Sequence, residues 1–184
     1  MNYPSIETER LHLRELTLED ADAVFKHFSV PELTRFMDIE PCQDLKEAEE
    51  IIAFHIQDSG CRYGLFCKES KELIGTCGYH CWSTDDHQKT KAEIGFDLAP
   101  NFWGKGLMQE ALNPLIRMGF DVMGLDYVEA TTEPENIQSQ RLLKKLGFDQ
   151  ERELKDGLIY FTLRKKKLLY INRAKMNQGS SDHK

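Results

Sequence analysis

No stretch of this chain approaches the roughly 18 consecutive apolar residues of a membrane-spanning helix, so no membrane segment is expected. The opening Met1-Asn2-Tyr3-Pro4 lacks the basic-then-apolar layout of a secretory signal. Cysteine is scarce: the five residues are odd in number and form no Cys-x-x-Cys pair, which argues against a disulfide framework and suits reduced thiols. Internal repeats and low-complexity segments are absent as well. A cytoplasmic protein is the expectation from these absences.

What is present is a globular composition. With 184 residues, 40% hydrophobic and 30% charged, the chain has enough apolar side chain for one core and predicts one domain, residues 1–165, with a basic and then polar tail over 166–184. The formal charge of −7 is uneven. Acids dominate up to residue 161, whereas Arg164, Lys165, Lys166, Lys167, Arg173 and Lys175 form a basic run, read as a solvated face. An acidic body repels polyanions, so no direct nucleic-acid partner is expected, and it attracts cationic substrates such as amines.

Leu11 and Leu13 alternate with Arg10, His12 and Arg14, the period of a half-buried strand over 9–16. Thr17 with Asp20 resembles a capping box, and Ala21, Val24, Phe25 and Phe28 share one face of the helix that follows, until Pro31 ends it. Asp44 and Glu47 open a second helix carrying Ala48, Ile51, Ile52 and His55, up to Gly60. Residues 62–68 and 73–82 read as a hairpin, 91–98 as a further strand, and 107–123 as a helix stopped by Gly124. Pro114 cannot donate to the carbonyl of Glu110, so a kink or break is expected there. A strand over 127–132, a helix over 137–146 ended by Gly147, and a hairpin of 148–154 with 158–163 around Asp156-Gly157 follow. The order β-α-α-β-β-β-α-β-α-β-β predicts a mixed α/β sheet rather than a doubly wound one, and residues 176–184 are expected to be disordered.

The most informative segment is Asn101-Phe102-Trp103-Gly104-Lys105-Gly106, between a strand and a helix. Glycines let backbone N–H groups turn inward and the helix N-terminus adds positive charge, so such a junction suits a pyrophosphate; it also suits a plain tight turn. It is neither a P-loop nor a G-x-G-x-x-G fingerprint. Asn136, Ser139 and Gln140 open the next helix, where ordinary capping competes with a role at a ligand. Cys77, His80 and Cys81 include metal-binding residue types, but strand alternation puts the cysteines on one face and His80 on the other, so no metal site is expected. Phe54, His55, Tyr79 and Trp82 are read as hydrophobic core.

The run from Ala92-Glu93-Ile94-Gly95-Phe96-Asp97-Leu98 through Gly104-Lys105-Gly106-Leu107 to Glu110-Ala111 resembles the acetyl-CoA-binding core of the GNAT N-acetyltransferases. Thr8-Glu9-Arg10-Leu11-His12-Leu13-Arg14 and the segment from Asn136 to Phe148 are similar to the branch containing the ribosomal-protein N-terminal acetyltransferases. The resemblance, spanning about residues 6–165, implies a mostly antiparallel mixed sheet, splayed around acetyl-CoA and flanked by helices. It further implies that backbone amides of Phe102, Trp103, Gly104, Lys105, Gly106 and Leu107 face the pyrophosphate, that backbone groups of Phe96 and Leu98 pair with the pantetheine, and that Asn136 and Ser139 reach the thioester. Two departures stand out: Asn101 replaces the family's frequent Gln or Arg, and Leu143 occupies the place where many relatives carry a tyrosine that protonates the leaving thiolate.

Aminolysis of a thioester needs a neutral amine, donors for the oxyanion and a proton for the thiolate. Glu93 matches the carboxylate many relatives carry before the cofactor loop, with Glu129, Glu133 and Glu151 as competitors. The expected activity is direct acetyl transfer from acetyl-CoA to a primary amine, with Glu93, Ser139 and Asn136 as catalytic candidates and no metal. The acceptor is a protein N-terminus, a polyamine or an aminoglycoside-like compound, with the segment 28–41 and its Glu32, Asp38 and Glu40 bordering the acceptor site. A homodimer is a possible assembly. The rival reading is a catalytically silent acyl-CoA-binding module.

Overall fold

The structure is a computed structural model and describes residues 3–57 and 61–168. The helix stop expected at Gly60, the basic residues Arg173 and Lys175 and the tail over 176–184 lie outside the described residues.

Ile6–Glu7 (β1) and Leu11–Arg14 (β2) form an antiparallel pair, and Leu11 and Leu13 are buried while His12 and Arg14 are half-exposed, as the alternation predicts. The short β1 carries too few residues to leave a period. At Thr17 the capping box forms: its N–H donates to Asp20 Oδ2 at 2.8 Å, starting a 3-10 turn that runs into Ala21–Phe28 (α1). Pro31 ends α1 as expected, but it also opens Pro31–Thr34 (α2), because its locked φ suits the first helical position. Leu45–Gln57 (α3) begins where Asp44 Oδ1 accepts from Glu47 N at 3.0 Å.

Cys61–Cys67 (β3), Leu73–Thr84 (β4) and Thr90–Leu98 (β5) form an antiparallel meander. Leu107–Asp121 (α4), Tyr127–Thr132 (β6), Ile137–Leu146 (α5), Asp149–Gln150 (β7) and Ile159–Arg164 (β8) complete the described elements. They make one eight-stranded sheet, ordered β1-β2-β3-β4-β5-β6-β8-β7, in which only β5 and β6 run parallel. This is the mixed, mostly antiparallel sheet that the residue order implied. Leu107, Ala111, Leu112 and Leu115 of α4 and Leu143 of α5 cover one face against Ala92, Ile94, Val128, Ala130 and Phe161. On the other face α1 and α3 build a smaller core from Val24, Phe28, Ala48 and Ile52. Among the described residues no helix is long and apolar enough to cross a membrane.

Three expectations need correction. Helix α4 runs unbroken through Pro114. Its apolar face is buried along nearly its whole length, and that packing outweighs the ~3 kcal/mol that an interior proline costs. The first arm of the closing hairpin shrinks to Asp149–Gln150, although Asp156 (φ 53°) and Gly157 (φ 80°) form the tight turn their sequence signals. Tyr79 is core, but Phe54 and Trp82 are 61% and 36% exposed, since α3 turns Ala48 and Ile52 inward instead.

Helix α4 lies hard against β4 at Gly119, where an added Cβ would collide with the Tyr79 hydroxyl, itself donating to Leu115 O at 3.1 Å. Gly119→Ala should therefore lower stability by about 1–3 kcal/mol, the usual cost of overpacking, measured as a shift in the urea midpoint with unchanged slope.

Candidate active site

Strands β5 and β6 pair at three positions, Lys91 with Tyr127, Ala92 with Val128 and Glu93 with Glu129, and then part. Among the described residues, no strand pairs with 94–98 on that side. Ala99 N donates to Ile74 O at 2.8 Å across the Gly75–Leu98 register, which marks Leu98 and Gly75 as a pair without mutual bonds. Leu98, and with it Phe96 and Ile94 at every second position, then aims its own N–H and C=O into the gap. The Leu98 carbonyl is already taken by Trp103 Nε1 at 2.5 Å. Of the two backbone positions assigned to the pantetheine, Phe96 keeps both groups and Leu98 only its amide; Ile94 was not singled out by the sequence.

Beyond β5 a 3-10 turn, Pro100–Phe102, leads to Gly104 and Gly106, both left-handed at φ 72° and 75°. A Cβ on Gly104 would meet nothing within 4 Å, so backbone conformation and not crowding demands glycine there. Gly106 is the N-cap of α4, and no side chain caps that helix, which leaves first-turn N–H groups for an anion. A cavity of about 770 Å³ opens between these parts, lined by Phe96, Leu98, Phe102, Trp103, Gly104, Gly106 and Leu107 on one side and by Asn136, Ser139, Arg141 and Lys145 on the other. Lys105 is not among its walls: its carbonyl accepts from Arg10 Nη1 at 3.0 Å and its ammonium lies over the Phe102 ring. Arg141 and Lys145 were missed, although their spacing of four puts them on one helical face, where they add positive charge.

The loop is braced from the N-terminal segment. Glu110 accepts from Thr8 Oγ1 at 2.6 Å, Arg10 N at 2.8 Å and Arg10 Nε at 2.7 Å. Burial pushes its carboxyl up, but these bonds outweigh that and hold it below the ordinary value of 4.5. Glu110 is therefore charged at neutral pH, and the brace weakens only as pH falls through that depressed value. Arg10→Ala should raise KM for acetyl-CoA about tenfold with kcat little changed, the worth of one charge-assisted hydrogen bond, read in steady-state kinetics.

Asn136 caps α5, its Oδ1 accepting from Ser139 N at 3.1 Å, so the capping role is present. Its amide nitrogen and the Ser139 hydroxyl are what the two residues can still offer a ligand. Leu143 is 1% exposed within the main core and supplies no hydroxyl.

Glu93 stands at the apex where the strands meet. Thr131 Oγ1 donates to its Oε1 at 2.5 Å, and His80 Nε2, across the β4–β5 register, lies 3.7 Å from its Oε2. On β5 the cavity wall is Phe96, Asp97 and Leu98, and Glu93 is not part of it. Its competitors are otherwise engaged: Glu129 pairs with Lys91 at 2.8 Å and Glu151 with Lys155 at 2.6 Å, while Glu133 is exposed before α5. The alternation that separated His80 from Cys81 fails, because the β4 register shifts between His80 and Ser83 and Cys81 takes a left-handed φ of 52°. Donor atoms of His80, Cys81 and Glu93 then lie within 4.8 Å of one another.

On the opposite side α2 contributes Glu32 and Leu33 to the cavity, and the turn after it Arg35, Phe36 and Met37. Of the three acids expected at an acceptor site, Glu32 is there, Asp38 and Glu40 are not part of the wall, and Arg35 offsets the charge. Asp97, which the sequence did not weigh as a site residue, is held by buried His27 at 2.6 Å and by the Thr76 hydroxyl.

A parted parallel pair with a glycine loop at the following helix is a geometry that known proteins share. Residues 10–149 match the model of the acetyltransferase (GNAT) domain. The chain belongs to the GNAT acetyltransferase family. It is 41% identical over 153 residues to the uncharacterised N-acetyltransferase p20 of Bacillus licheniformis, covering 81% of this chain and 84% of that protein. It is 33% identical over 106 residues to the [ribosomal protein uS5]-alanine N-acetyltransferase of Escherichia coli, covering 58% and 54%. A GNAT acetyltransferase from Bacillus anthracis superposes with a TM-score of 0.75 at 21% identity, covering 89% of this chain and 99% of that one. The spermidine N-acetyltransferase of Vibrio cholerae, in complex with CoA and spermine, gives 0.72 at 22% identity, covering 87% and 98%. GNAT enzymes transfer acetyl from acetyl-CoA to amines, and the parted strand edge and left-handed loop fit that donor.

Proposed function

We propose that the domain over residues 1–165 transfers acetyl from acetyl-CoA directly to a primary amine, either a protein N-terminus or a small cationic amine, without a covalent acyl-enzyme. The observation that carries the reading is the three-position pairing of β5 with β6, which leaves an open backbone edge leading from the glycine loop to Glu93. From Leu98 to Glu93 that edge runs roughly 17 Å, long enough for an extended pantetheine arm.

In this reading the amides of residues 102–107 hold the pyrophosphate, with Arg141 and Lys145 adding charge. Phe96 and the Leu98 amide pair with the pantetheine. The acceptor enters past Glu32 of α2 and Phe36 of the turn that follows, on the side of the sheet that bears Glu93. Glu93 drives removal of the ammonium proton, taking it up directly or assisting an intervening group that does, so that the nitrogen attacks the thioester carbonyl; Asn136 and Ser139 stand at the thioester, and Ser139 donates a hydrogen bond to sulfur as charge builds. A relative that acts on ribosomal protein uS5 and one that acts on spermidine support the two acceptor classes. The buried Leu143 favours the rival, a silent acyl-CoA-binding module, because it removes the usual thiolate donor.

The test is CoA release from acetyl-CoA across a panel of N-terminal peptides and polyamines, with mass spectrometry of the acceptors. Transfer to one class is the expected result. Acetyl-CoA binding with no transfer to any acceptor would select the silent module.

A further inference from the structure

We propose that His80 is a catalytic residue of this enzyme, the imidazole whose Nε2 takes the proton from the acceptor amine, with the Glu93 carboxylate, held by Thr131, beside that nitrogen. The inference rests on the acetyl-transfer reading and names the intervening group in its proton path.

His80 and Glu93 are direct cross-strand partners on the sheet face away from α4. Thr131 holds one carboxylate oxygen at 2.5 Å, and the other faces His80 Nε2 at 3.7 Å, a separation that a small rotation of either side chain closes to a hydrogen bond. The imidazole lies across Gly95: a Cβ there would sit 3.2 Å from His80 Cε1 and 3.6 Å from Nδ1. Glycine in mid-strand is thus explained by the ring. Gly95 follows Glu93 by two residues, on the same face, and immediately precedes Phe96, so the ring covers the strand between the carboxylate and Phe96. Both side chains are about a quarter exposed, 27% for His80 and 24% for Glu93, so neither is sealed from solvent. The register shift just after His80 breaks strand pairing there, as bulges beside active sites do when they re-aim a side chain.

The chemistry favours the imidazole as first acceptor. An ordinary histidine titrates near pH 6.5 and a carboxylate near 4.3, so the former is the better match for removing an ammonium proton at neutral pH. The ammonium gives one proton to the imidazole, and Glu93 stabilises the resulting cation. The nitrogen lone pair then forms the C–N bond as the thioester C–S bond breaks; the second amine proton ends on the CoA sulfur, and the imidazolium returns its proton to solvent. The titratable and charged groups around the ring are Glu93 on β5, Cys81 on β4 and Arg62 on β3, whose side chain lies over Gly78. Lys91 with Glu129, and His27 with Asp97, lie further along the same face.

The test compares pH profiles of kcat/KM for one amine in wild type, His80→Gln, His80→Asn and Glu93→Gln, with EDTA present so that no metal occupies the cluster. The ionisation of the amine is common to all four. Wild type should show an added ionisation near that of an imidazole. Both His80 variants should lose it together with about 10²–10⁴-fold in turnover, the range for a general base, while binding acetyl-CoA within about twofold of wild type by calorimetry. Glu93→Gln should keep the ionisation but move it to lower pH, because the imidazolium loses its carboxylate partner. Free imidazole should restore part of the turnover of His80→Ala. Retention of the ionisation in both His80 variants, or turnover near wild type, overturns the proposal. Failure of wild type itself to release CoA with any amine would instead overturn the acetyl-transfer reading.

Discussion

Gly104→Val and Gly106→Val are expected to weaken acetyl-CoA binding about a hundredfold each, whereas Asn101→Ala should leave it nearly unchanged. Both glycines hold φ above 70°, where a residue with a Cβ pays roughly 1–2 kcal/mol and a β-branched one more. The variant chain escapes that strain by leaving the left-handed region, and the amides that should converge on the pyrophosphate then turn away. Loss of one or two hydrogen bonds to a charged group, about 1.5–3 kcal/mol apiece, accounts for the hundredfold. Crowding plays no part at Gly104, since the space around its Cβ position is open. Calorimetry with acetyl-CoA is the direct measurement. Wild-type affinity in both variants would place the pyrophosphate elsewhere.

Glu93→Gln should lower turnover by about 10²–10⁴-fold with acetyl-CoA affinity preserved. The amide keeps the size of the side chain and can still meet Thr131, so the apex of the gap should survive while the negative charge is lost. Gln variants of Glu129, Glu133 and Glu151 supply the comparison, and the ion pairs of Glu129 and Glu151 predict small effects on turnover there. Ser139→Ala should cost less than Glu93→Gln and depend less on pH, because a hydroxyl near sulfur acts by hydrogen bonding rather than by ionising near neutrality. An unaltered pH–rate profile in Glu93→Gln would remove the carboxylate from the mechanism.

Particular residues show how much of the site could be read without coordinates. The loop around Gly104 and Gly106 was legible because glycine between a strand and a helix signals its own conformation. Asn136 was legible as a cap because its partner, Ser139 N, is three residues away. The motif says nothing about the bond from Arg10 to the Lys105 carbonyl. The register aims Leu98 at the gap, but Trp103 claims its carbonyl, a contact no motif signals. His80 and Cys81 were assigned to opposite faces by an alternation that one shift of register undoes.

The sequence by itself determined the type and order of the longer elements, the glycine loop, the capping of α5 and the family, because these depend on periodicity, turn chemistry and motifs that act over a few neighbouring residues; the short β1 and α2 left no such pattern. Only the tertiary structure decided that β5 and β6 part after Glu93, that Glu110 braces the loop from Thr8 and Arg10, and that Thr131, Glu93 and His80 meet at the apex. Those contacts join residues as far as 102 positions apart. Their partners are chosen by sheet order, register and the packing of both faces at once, and no local pattern in the chain encodes that choice.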